Sequence, residues 1–109
     1  MKEVNNMIPG TTPYVRCNLP FEVGVITKAE FTIEYFAGSK RELIVKHLND
    51  SVPDGQCLYF PLTQEETLKF PDNSWVNMQL RVLTVDGKAL ATSPYRVPVG
   101  RLLNGGVAV

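Results

Sequence analysis

Apolar and polar residues alternate with a period of two along most of this chain, and no segment sustains the 3.6-residue spacing of a helix. Between residues 12 and 19, Val15, Cys17 and Leu19 alternate with Arg16 and Asn18. Between residues 28 and 37 the alternation is cleanest, with Ala29, Phe31, Ile33 and Tyr35 set against Lys28, Glu30, Thr32 and Glu34, the mark of a half-buried strand. Gly38, Ser39 and Lys40 form a turn, and residues 41–48 return as its hairpin partner. Residues 49–55 are dense in Asn, Asp, Ser, Pro and Gly and predict a surface loop. A short apolar strand follows over residues 56–62.

Thr63 and Glu66 have the spacing of a capping box, and Pro71 limits the helix they start to residues 64–69. Residues 75–85 predict the longest strand, with Val76, Met78, Leu80 and Val82 on one face and Trp75, Asn77, Gln79 and Arg81 on the other. Asp86-Gly87 predicts a two-residue type I′ hairpin turn. The return over residues 88–99 contains Pro94 and Pro98, which cannot donate to a ladder and place its second half at an edge or a bulge. The sum is six or seven antiparallel strands with one helical turn: an all-β, immunoglobulin-like sandwich, with a small barrel as the alternative. The expected division is an N-terminal extension over residues 1–11, the sandwich over 12–100 and a tail over 101–109. The Cys…Trp…Cys order of antibody domains is missing, because Trp75 follows both cysteines.

At 109 residues the chain suffices for one core. Eleven basic and eleven acidic residues balance without clustering, so no nucleic-acid footprint exists. No run of about 18 apolar residues suggests a membrane span, and the opening residues lack the pattern of a signal peptide. Cys17 and Cys57 fall in alternating segments, where reduced thiols are expected over a disulfide.

Catalytic and cofactor chemistry finds no support. His47 is the single histidine, no G-x-S-x-G accompanies it, and Ser39 and Ser51 read as turn residues. Two isolated cysteines and one histidine cannot close a zinc site. The segment from Asp50 resembles a calcium loop only until Val52 and Pro61 occupy required ligand positions. No glycine pattern forms a phosphate cradle, and Asn49-Asp50-Ser51 matches a glycosylation acceptor only by chance. Glu65 and Glu66 suit the first turn of a helix. The expectation is a non-enzymatic chain with no cofactor and no metal.

Most aromatic residues belong to the core, but Tyr35-Phe36 and Tyr59-Phe60 are strand neighbours, so one of each pair faces away from it. Phe36, Phe60 and Trp75 are the candidate partner contacts, joined by Val107 and Val109 in an apolar C-terminus.

The run Met7-Ile8-Pro9-Gly10-Thr11-Thr12-Pro13, followed by Leu19-Pro20-Phe21 and Lys28, resembles the opening of small proteins encoded by tailed phages and prophages of Firmicutes. The likeness returns at Leu62-Thr63-Gln64-Glu65-Glu66-Thr67, at Gln79-Leu80-Arg81-Val82-Leu83-Thr84 and at Gly87-Lys88-Ala89-Leu90-Ala91, and so spans residues 7–99. It implies a bacteriophage structural or adaptor module, made in the host bacterial cytoplasm and built into the virion by contacts with other phage proteins or with itself. It carries no functional residues over. Two other readings accompany it: a phage-encoded inhibitor of a host system, and a carbohydrate-binding module using Trp75, Asn77 and Gln79 on one face.

Overall fold

The computed structural model describes residues 7–103. Eight strands and one α-helix follow in order: β1 (Tyr14–Asn18), β2 (Ile26–Ala37), β3 (Lys40–His47), β4 (Val52–Asp54), β5 (Cys57–Pro61), α1 (Gln64–Leu68), β6 (Trp75–Thr84), β7 (Ala89–Ala91) and β8 (Tyr95–Pro98). They form two antiparallel sheets. One has the order β1-β5-β4; the other runs β3-β2-β6, and β6 carries β7 and β8 along its far side. The protein is an all-β, sandwich-like fold, as the alternation predicts.

The core lies where the inward phases of the strands meet. From β2 come Ala29, Phe31, Ile33 and Tyr35, and from β6 Val76, Met78, Leu80 and Val82; Val15, Cys17, Leu58 and Phe60 come from the smaller sheet. The Phe31 and Phe60 rings stack at 4.7 Å between centroids, and Tyr35 meets Phe70 edge-on at 5.2 Å. Aromatic pairs of this kind add about 1 kcal/mol each beyond the area they bury.

Local chemistry sets the connections. Both capping-box bonds form at α1: the Glu66 amide donates to Thr63 Oγ1 at 3.1 Å, and the Thr63 amide donates to Glu66 Oε1 at 2.9 Å. Strand β2 begins two residues earlier than the alternation suggests, because Thr27 is an extra residue between the pairs Ile26/Thr84 and Lys28/Leu83. That bulge returns Ile26 to the inward face and breaks the period-two pattern there.

Four expectations are corrected. The loop over residues 49–55 contains a 3-10 turn and the short strand β4, whose three exposed residues line a sheet edge where Pro53 is tolerated. The β6–β7 turn is not type I′, since Gly87 has φ 84° but Asp86 is not in the left-handed region. Instead the Gly87 amide bonds the Thr84 carbonyl at 3.0 Å and the Thr84 amide the Lys88 carbonyl at 3.0 Å, giving a three-residue loop with a glycine bulge. The Thr84 hydroxyl donates to the Asp86 carboxylate and helps hold that turn.

The return strand splits at Pro94 into β7 and β8, so the described residues hold eight strands where six or seven are expected. Finally, the N-terminal extension over residues 1–11 ends too late. Met7 is 1% exposed and pairs in parallel with Val99, its amide donating to the Pro98 carbonyl at 2.8 Å.

Candidate interaction surface

Strand alternation that buries one face of the larger sheet must present the other. Outward positions are Glu30, Thr32, Glu34 and Phe36 on β2, and Trp75, Asn77, Gln79 and Arg81 on β6. On β3 they are Arg41, Leu43, Val45 and His47. Register then builds rows across this face. Arg41 pairs with Phe36 and Trp75 with Pro98, at the end of the sheet beyond the last β2–β6 pair, Glu34 with Asn77. The next row is Leu43, Glu34, Asn77 and Arg96.

Four large apolar side chains stand open here: Trp75 at 54%, Phe36 at 46%, Leu43 at 44% and Val45 at 41%. The Arg96 guanidinium carbon lies 5.4 Å from the centre of the Trp75 ring, a cation–π arrangement that orients the indole. Between the apolar residues the polar groups satisfy one another. Glu34 accepts from Arg41 Nε through one oxygen and from Asn77 Nδ2 at 2.9 Å through the other. The Arg41 bond, followed by that of Asn77, holds the Glu34 carboxyl below its ordinary range. Gln79 Nε2 donates to the Thr92 carbonyl at 2.9 Å, and Arg81 pairs with Glu30 at 3.3 Å.

Phe36 and Trp75 thus lie in the outward phase of one sheet, each about half exposed. Phe60 is not part of it: the side chain is fully buried against Phe31, and the opposite phase belongs to Tyr59. Tyr59 is itself 8% exposed, because its strand is central in the smaller sheet and Arg16 and Val52 flank it. Val107 and Val109 lie outside the described residues. Leu43, Val45 and Arg96 were missed in the sequence; counting β3 in phase with Glu34 would have found the first two.

The remaining chemistry-bearing residues have structural surroundings. Asp50 Oδ2 accepts from the His47 amide at 2.8 Å, which fixes the turn after β3. Cys17 and Cys57 are free thiols on adjacent strands and opposite phases, since Cys17 pairs with Leu58 and Cys57 with Asn18. Burial pushes the Cys17 thiol up to about 12, against a smaller opposing effect of its bond to Tyr95.

Lys46 points inward from the outer strand and reaches Glu66 Oε2 at 2.6 Å. Burial alone would raise the Glu66 carboxyl, but Lys46 and the Thr63 amide outweigh it and the net shift is downward. A shallow groove of about 590 Å³ over β2, β6 and β7 is lined by Thr27, Lys28, Glu30, His47, Arg81 and Leu83, without a cysteine or serine nucleophile. Among the described residues no three His, Cys, Asp or Glu side chains converge as a metal site. No helix there is long and apolar enough to cross a membrane. Comparison with protein-family models and with curated proteins found no match for this chain.

Proposed function

We propose that this chain is a non-enzymatic adaptor module of a phage virion, binding a partner protein through the outer face of its larger sheet. The observation that carries the binding reading is the presence of Phe36 and Trp75 on one face, both about half exposed, with Arg41 paired to Phe36, Arg96 over Trp75 and Leu43 exposed on the same side. Aromatic and arginine side chains at the centre of an apolar patch are the usual anchors of protein interfaces. The virion assignment rests on the resemblance of residues 7–99 to phage-encoded proteins. The sugar-binding reading is less favoured, because one N–H of the Asn77 amide already serves Glu34 and one of the Gln79 amide the Thr92 carbonyl, which fixes both side chains within the sheet.

The test is protein mass spectrometry on purified virions of the encoding phage, with wild type and a Phe36→Asp/Trp75→Ala variant. The chain is expected in the wild-type particle at a stoichiometry reproducible between preparations, and depleted from it in the variant. Its absence from wild-type particles, with the protein free in the infected cell, would overturn the virion reading and favour a host-directed inhibitor.

A further inference from the structure

Strand β3 ends the larger sheet on one side, and among the described residues no further strand lies beside it. Its free edge can be read from the hairpin that holds it. Gly38, at φ 66°, and Ser39 make a two-residue turn between Ala37 and Lys40, so those flanking residues form a hydrogen-bonded pair. Alternation gives the same status to Tyr35/Glu42, Ile33/Ile44 and Phe31/Lys46. The backbone groups of Arg41, Leu43 and Val45 therefore point away from the sheet, as does the carbonyl of His47, whose amide already donates to Asp50 Oδ2.

We infer that this edge pairs antiparallel with the same edge of a second copy, about a two-fold axis through Ile44. The argument is self-complementarity. In this register Ile44 meets its own counterpart on the buried side. Leu43 of each copy faces Val45 of the other, joining exposed apolar side chains across the seam. Glu42 of each copy faces Lys46 of the other, so opposite charges line up twice by symmetry, beside the bridges that Glu42 makes to Lys40 at 3.1 Å and Lys46 to Glu66 at 2.6 Å within each copy. Arg41 and His47 lie opposite at the ends.

Neighbouring registers lose this match. Centring on Leu43 sets Lys40 against Lys46, and centring on Val45 sets Ile44 against Lys46. Charged edge strands ordinarily deter pairing; here each inward-phase charge within residues 41–47 meets its opposite. The two larger sheets would become one continuous sheet. This inference does not rest on the virion reading.

Sedimentation equilibrium on the purified protein tests it, with Glu42→Lys and Leu43→Pro variants checked for fold by circular dichroism. The wild-type mass is expected to rise with concentration from 12.2 kDa to twice that value. Glu42→Lys sets lysine against lysine twice and should weaken the dimer at least about tenfold, with partial recovery in high salt. Leu43→Pro removes an amide that points outward, so it should abolish the dimer while sparing the β2–β3 ladder. A wild-type protein that stays at 12.2 kDa up to roughly 1 mM would overturn the inference, as would a dimer indifferent to both substitutions.

Discussion

Thr67 is fully buried, and its hydroxyl holds the start of the described chain to the helix. Oγ1 accepts from the Gly10 amide at 2.9 Å and donates to the carbonyl of Thr11 at 2.9 Å, with that of Gln64 at 3.2 Å. Valine has nearly the same shape but no hydroxyl. Thr67→Val would leave the Gly10 amide without its acceptor, and an orphaned, partly buried donor costs about 2 kcal/mol. Thr67→Ser keeps the bonds and deletes one methyl group, a loss of about 1 kcal/mol.

Hydrogen bonding and packing thus give opposite rankings, and the pair of variants separates them. Urea unfolding followed by circular dichroism measures both; for a domain of this size 2 kcal/mol lowers Tm by about 10 °C. Hydrogen exchange adds a local reading. The Met7 and Gly100 amides, bonded to the carbonyls of Pro98 and Met7, should lose protection in Thr67→Val before the core does. A Thr67→Val protein as stable as wild type, with Thr67→Ser the weaker of the two, would refute the reasoning and make the position one of shape alone.

The other expectations are briefer. Phe60→Ala should cost about 3–5 kcal/mol by opening a cavity beside Phe31, whereas Phe36→Ala should change stability by about 0.5 kcal/mol, as urea midpoints will show. Because the Glu66 carboxyl is lowered in the fold, its contribution is complete above its ordinary value of 4.5 and is lost as pH falls through the depressed value. Lys46→Met should therefore flatten the acid side of the stability profile, and an unchanged profile would count against the Lys46–Glu66 pair. Cys17 has the opposite sign: its raised thiol contributes fully below 9.0, and stability declines as pH climbs from there towards 12. In the native protein at about pH 8, a thiol reagent should label Cys57 and leave Cys17 unmodified until denaturant is added. Gly87→Ala should cost about 1 kcal/mol in thermal melts, since φ there is 84°.

Much of the architecture was legible because alternation is a local signal. The inward phases of β2 and β6 and the capping box at Thr63 each follow from a few neighbouring residues. What escaped depended on distant partners. Thr27 breaks the alternation of β2 only because Leu83 and Thr84 on another strand fix the register. Phe60 and Tyr59 sit in opposite phases, and which one enters the core is decided by the sheet that faces them. Met7 joins the core through Val99, far away in sequence. The candidate surface was half legible: Phe36 and Trp75 were visible as outward aromatics, but that they share one face required the β2–β6 pairing.

The parallel bridge between Met7 and Val99 has a mechanical consequence. Met7 donates to Pro98 and accepts from Gly100 at 2.6 Å, so both bonds tie the chain's entry to its exit. In a parallel pair the two free ends leave from opposite ends of the contact. Tension applied between residue 7 and residue 103 would slide the two segments along each other and load both bonds together. An antiparallel closure would instead peel one bond after another. Force passing through the protein along its own backbone therefore meets the two bridge bonds in shear, so the described termini resist stretching more than two bonds broken in turn would.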